Sequence, residues 1–165
     1  MAHDLSDASA LGRRRSGSAR SIIIRLLGVA TAAMLGIDAV VHARDAHFYD
    51  AVRTSVISQG TLFRLEAAVA AIIAIALLIR PSRIWWAAAL IVAASAFGAV
   101  VLYTYVDVGS LGPLPNMYEP TWALPGKSVS AWAEGAGTIL AAAGLLTTFR
   151  VMAPRPARVD DRPRP

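Results

Sequence analysis

Residues 62–79 read LFRLEAAVAAIIAIALLI, and residues 85–106 read WWAAALIVAASAFGAVVLYTYV. Neither run contains proline, and the first is unbroken by charge from Ala67 to Ile79. At about 1.5 Å per helical residue, each spans the roughly 30 Å of a bilayer's hydrocarbon. Aromatic residues stand at their ends, where headgroups would lie. Only Arg80-Pro-Ser-Arg83 separates the two runs, so the helices they form are expected to be antiparallel neighbours. Two further apolar runs flank this pair, at 21–43 and 129–149, against 61–79 and 84–106 for the central two. The predicted fold is an all-α, four-helix transmembrane bundle with a Pro/Gly-rich outer loop between helices 3 and 4. Its parts are an amino-terminal tail over 1–20, the transmembrane domain over 21–150 and a basic, Pro-rich tail over 151–165.

Composition agrees. The chain has 165 residues and is 56% hydrophobic, above the roughly 45–50% of an ordinary soluble domain. Its net charge of +5 does not point to nucleic acid, because the basic residues sit in the tails and short turns, not in a stripe with interleaved aromatics. Cysteine is absent, which excludes disulfides, thiol chemistry and cysteine-based metal sites. Arg13-Arg-Arg15 precedes the first apolar run as in a secretory signal. That run, however, exceeds the roughly 7–15 residues of a signal core and carries Asp38.

Lys and Arg set the direction. Arg13, Arg14, Arg15, Arg20 and Arg25, the two arginines of the RPSR turn, and five from Arg150 onward fall on one side; Arg44, Arg53, Arg64 and Lys127 fall on the other. The positive-inside rule then puts both termini and the turn in the cytoplasm of a bacterial inner membrane, with residues 44–60 and 107–128 outside. Both tails are rich in charge with Ser or Pro, and are expected to be disordered. Small residues recur at four-residue spacing: Gly28, Ala32 and Gly36; Ala94 and Gly98; Ala133 and Gly137. Such spacing permits close helix approach, although an Ala-rich composition produces it too.

Ionisable residues inside spans are costly and raise a functional question. Asp38, Glu66 and Glu134 each lie about 7 Å inside the outer end of a span, and Tyr103 is at a similar level. One polar group per helix at one depth suggests an outward-facing polar pocket. The plainer alternative is that Glu66 and Glu134 are first-turn carboxylates favoured by the helix dipole. Asp38 lies near the carboxyl end of its helix, where the dipole disfavours an anion. It therefore needs a partner, either His42 one turn later or Arg64 from the second helix. Asp38 and His42 with Glu66 or Glu134 would suit a divalent metal in ligand type, but no spacing demands one. No cofactor or metal is assigned on this basis, and no nucleophile, phosphate loop or metalloprotease motif is present.

The outer loops carry the remaining candidates. Residues 44–60 read as a short interfacial helix or a solvated connection. Residues 107–128 hold Pro113, Pro115, Pro120 and Pro125 with Gly109, Gly112 and Gly126, and are expected to form a defined, non-helical cap. Within GPLPNMYEPTW, at 112–122, Met117, Tyr118 and Trp122 supply apolar mass, and Glu119 is the residue expected to face a ligand.

With Arg25 opening the first helix, His42 ending it and GPLPNMYEPTW preceding a Glu-bearing last helix, the chain resembles small four-helix integral membrane proteins of high-GC, actinobacterial-type bacteria, mostly of unknown function. It is also similar to DoxX-like membrane proteins. That resemblance implies a compact four-helix bundle, linked in some members to respiratory or thiol-redox complexes. The lack of cysteine departs from a direct thiol-redox role.

The expected function is a membrane protein whose outer polar pocket, capped by the 107–128 loop, binds a small molecule or partner. The rival is a structural or accessory subunit of a membrane complex, respiratory or redox. An oligomeric transporter would need further copies, since four spans show no inverted repeat. Enzymatic activity has the least support. Expected partners are the lipid bilayer and a membrane protein or second copy, not nucleic acid.

Overall fold

The computed structural model describes residues 2–124 and 126–149, with side chains from residue 19 onward. Four helices are described: α1 (Ala2–Asp45), α2 (Gln59–Ile79), α3 (Arg83–Tyr105) and α4 (Lys127–Phe149). All four are long and apolar enough to cross a membrane. The tail expected at 151–165 lies outside the described residues. The backbone of 2–20, read from composition as a disordered tail, continues α1 as helix. It contains no proline, and extending an existing helix avoids the cost of nucleating one.

Local chemistry explains the breaks. Pro81 disfavours helical geometry at the residue before it, and Arg80 is extended at φ −150°, ψ 94°. Its N–H still closes α2 on the Ala76 carbonyl at 2.9 Å. At the other end of α2, the Ser58 hydroxyl caps the helix by accepting from the Thr61 N–H at 3.0 Å. Between α1 and α2 the chain makes a 3-10 turn, Ala46–Tyr49, then doubles back with Arg53 bridged to Ser58. No continuous interfacial helix fills 44–60.

Helix α1 packs along both α2 and α4, and α3 packs along α4. α2 and α3 are joined by the shortest connection, yet they pack against each other much less than those pairs do. The half of the bundle near the Arg80–Arg83 turn is a dry core in which Leu77, Trp86, Ala89 and Ala141 are essentially fully buried. Trp86 is accommodated by Gly144, where a β-carbon would fall 2.3 Å from the indole ring. Two arginines finish this end: Arg20 donates to the Thr147 carbonyl at 2.8 Å and Arg83 to the Thr148 carbonyl at 3.2 Å. They satisfy carbonyls that the carboxyl end of α4 would otherwise leave open.

Only some small-residue pairs mediate contact. Gly28 approaches the Leu77 carbonyl, and Gly137 lies against Met34 and Ala93. Ala94 and Gly98 are exposed instead, with nothing near a β-carbon at Gly98. Large apolar side chains such as Ile72, Ile75, Ile91 and Ile139 also point outward. An apolar belt this extensive would be a liability in water and suits hydrocarbon.

Candidate functional site

The polar residues gather in the half of the bundle opposite the Arg80–Arg83 turn, the loop end. Asp38, Glu66 and Glu134 stand at one level, each seven residues from the loop-end terminus of its helix. Asp38 and Glu134 are buried, at 2% and 3% exposure.

On α1, His42 lies one turn beyond Asp38, and its Nδ1 is 2.9 Å from Asp38 Oδ1. Its ring meets Phe63 edge-on, with centroids 4.7 Å apart. From α4, the Ser130 hydroxyl reaches Asp38 Oδ1 at 2.7 Å and Glu134 Oε1 at 2.8 Å. Ser130 and Glu134 are themselves four apart on one helix face, as are Asp38 and His42. Two one-turn pairs, on α1 and α4, thus meet in the interior and form one hydrogen-bonded group. The second oxygen of Glu134, Oε2, is buried without a partner among the described residues, and so is Glu66 Oε1.

This group forms one wall of a cavity of about 390 Å³. α2 contributes Phe63, Glu66 and Val69 to it; α3 contributes Ala99, Val100 and Tyr103. Met117 and Glu119 come from the 107–124 segment, and Lys127 from the start of α4. The segment is fastened there by backbone: Glu119 N–H donates to the Tyr103 carbonyl at 2.9 Å. The Lys127 ammonium donates to the carbonyls of Glu119 and Thr121, the latter at 2.9 Å, and lies 5.2 Å from the Trp122 ring centre.

His42, Glu66, Tyr103, Glu119 and Glu134 therefore share one cavity, and Asp38 buttresses it from behind through His42 and Ser130. The other candidates lie elsewhere. Arg64 is not the partner of Asp38; it points to the exterior and makes a two-pronged pair with Asp50, at 2.8 and 2.7 Å. Those bonds hold the Asp50 carboxyl below its ordinary pKa of 3.8. Tyr118 and Trp122 do not line the cavity: Tyr118 is exposed, and Trp122 donates to the Tyr105 hydroxyl at 3.2 Å beside a separate groove between α3 and α4. Sequence reasoning missed Ser130 and Lys127. Ser130 was discoverable, because it lies one turn before Glu134 on the same face.

The fold and its apolar exterior define a multi-pass, all-helical membrane protein, with a mostly apolar cavity bordered by a cluster of polar side chains at one end of the bundle. No protein-family model, no curated protein and no solved structure matches the chain.

Proposed function

We propose that this chain is a binding protein of the bacterial inner membrane, with both termini cytoplasmic and its cavity in the outer half of the bilayer. Charge placement supports the orientation, since twelve Arg residues belong to the termini and the Arg80–Arg83 turn, against Arg44, Arg53, Arg64 and Lys127 at the opposite end. The cavity's size, about 390 Å³, falls within the roughly 300–1,000 Å³ typical of small-molecule sites. Its walls are mostly apolar, with a few convergent polar groups, as such sites require.

One observation carries the reading: Glu66 and Glu134 keep unpartnered, buried carboxylate oxygens beside the same cavity. Groups serving only to clasp helices would satisfy each other, because an unmet buried acceptor is costly. The Pro-rich segment closes one side of the space, placing Met117 and Glu119 against it. α2 and α3 pack only lightly against each other, and the cavity also has walls formed by exposed residues such as Leu65 and Val69. A ligand with an apolar body and a polar or cationic group fits these walls.

Gentle detergent extraction followed by native mass spectrometry tests the proposal. A small molecule bound at one per chain is expected, lost in Glu66→Gln and Tyr103→Phe variants that retain helical content. A chain that carries no small molecule, and whose Glu66→Gln variant behaves as wild type, overturns it. Cysteine substitution at Ser110 tests orientation: labelling only after cells are permeabilised reverses it.

A further inference from the structure

From the side-chain geometry of α1 and α4, we infer that Asp38, His42 and Glu134 form a site for a divalent first-row transition ion, with Glu66 facing it from α2.

The donor atoms already converge. One ligand atom from each of Asp38, His42 and Glu134 lies within 4.8 Å of the others, so small side-chain adjustments bring all three onto one ion. Two carboxylates with one imidazole suit Zn²⁺ or Mn²⁺. The absence of thiolates disfavours a soft ion such as Cu⁺. Ca²⁺ and Mg²⁺ prefer oxygen donors alone, in larger number.

With both carboxylates ionised, the group holds more acceptors than hydrogens, an imbalance that a bound cation would relieve. The Ser130 hydroxyl has one hydrogen, yet lies 2.7 and 2.8 Å from oxygens of two different carboxylates. The His42 Nδ1 can carry one more, and Asp38 Oδ1 and the Asp38 carbonyl, at 2.9 and 3.2 Å, compete for it. Nothing remains for Glu134 Oε2, although Glu134 is only 3% exposed and borders the cavity. Glu66 Oε1 is in the same position on the other side.

The nearby basic side chains are committed elsewhere. Lys127 donates to loop carbonyls, Arg64 is paired with Asp50, and Arg44 is 3.1 Å from Asp45. An ion bound by Asp38, His42 and Glu134 would place a divalent positive charge between the two carboxylates. His42 ligates through Nδ1, and Ser130 is left to orient one carboxylate, the supporting role that outer hydrogen bonds take around metals. Because His42 and Glu134 line the cavity, a ligand's polar group there would lie beside the ion. The inference thus deepens the binding-protein reading, but can be tested apart from it.

The full chain, purified in detergent through a tag without histidine and stripped with chelator, is titrated with Zn²⁺ and Mn²⁺ by equilibrium dialysis and elemental analysis, with Mg²⁺ as control. One Zn²⁺ or Mn²⁺ per chain is expected. The cobalt form should show visible bands of mixed nitrogen–oxygen ligation. Glu134→Gln should weaken binding at least about tenfold, and Ser130→Ala by about ten- to a hundredfold, whereas Arg64→Ala should leave it unchanged.

Failure of wild-type protein to bind either ion overturns the inference, whatever the variants do. So does stoichiometric binding that a folded Glu134→Gln variant retains, which would place the ion elsewhere. An organic cation found in the cavity of protein that takes up no metal overturns this inference and leaves the binding-protein reading standing. One metal per chain with no small molecule does the reverse.

Discussion

The Ser130 hydroxyl donates to Asp38 Oδ1 at 2.7 Å, tying α4 to α1 across 92 positions of sequence. Asp38 is 2% exposed and lies in the last turns of α1, where the helix dipole opposes its charge. Removing the hydroxyl leaves an aspartate with His42 as its one remaining side-chain neighbour at hydrogen-bonding distance among the described residues. Ser130→Ala is expected to cost about 1.5–3 kcal/mol, the range for a hydrogen bond to a charged group. Thermal unfolding in detergent measures it, and Ser130→Thr should retain most of the stability. Equal melting of Ser130→Ala and wild type would mean that the link does not hold the helices together.

A second prediction concerns the opposite end. Gly144 has no room for a side chain, because a β-carbon would lie 2.3 Å from the Trp86 ring. Trp86 is fully buried and cannot swing aside without disturbing Leu77 and Ala89 in the same core. Gly144→Ala should therefore destabilise the bundle by about 1–3 kcal/mol, as overpacked cores do. The penalty should shrink when Trp86 is also replaced by Phe, giving a measurable coupling energy. If Gly144→Ala costs the same in both backgrounds, the ring is not what the glycine accommodates.

These two contacts mark where the sequence was readable and where it was not. From Ala67 to Ile79 the stretch LFRLEAAVAAIIAIALLI is apolar on every side, so length and hydropathy alone identify α2 as a span. The same uniformity conceals which face packs: Ala94 and Gly98 matched the small-residue spacing yet are exposed, while Gly144 went unnoticed. Depth was legible, because helix rise places Asp38, Glu66 and Glu134 level by counting. Pairing was legible only within one helix. Arg64 could not be assigned from its span, since its partner Asp50 is delivered by the tight reversal after Tyr49. That reversal depends on Gly60, where a β-carbon would strike Asp50 Oδ1 at 2.2 Å and the Ala46 carbonyl at 2.4 Å.

The Asp50–Arg64 pair supplies a pH prediction. Asp50 is held below its ordinary pKa of 3.8, first by hydrogen bonds from Arg64. A carboxyl whose folded pKa is depressed stabilises the fold above its unfolded value, and that contribution disappears as pH falls through the folded one. The melting-temperature difference between wild type and Asp50→Asn should therefore be present at neutral pH and fade below about pH 4. It should be small, because both side chains are about half exposed and screened by solvent. A difference that grows on acidification would contradict the assignment. Arg64→Ala should lower stability similarly at neutral pH without altering occupancy of the cavity, from which Arg64 is absent.

Lys127 controls the cap. Its ammonium donates to the carbonyls of Glu119 and Thr121 and lies over the Trp122 ring, so one side chain fixes three residues of the 112–122 segment. Proline in that segment limits its conformations, but fixing φ does not attach it to the helices. Attachment also comes from Glu119 N–H on the Tyr103 carbonyl and from Thr54, which donates to the Pro113 carbonyl at 2.7 Å. Lys127→Met keeps the apolar stem and removes the donors, leaving those two bonds together with Trp122 on the Tyr105 hydroxyl and Ser128 on the Trp122 carbonyl, at 3.2 and 3.3 Å, to hold the cap. Hydrogen exchange at the Glu119 amide should accelerate by about tenfold, corresponding to about 1.4 kcal/mol of local opening. Exchange in the α1–α4 core should be unchanged. If a ligand must pass the cap, its dissociation should quicken in Lys127→Met with little change in melting temperature. If dissociation is unchanged while Glu119 exchange rises, the route runs between α2 and α3, which pack only lightly against each other.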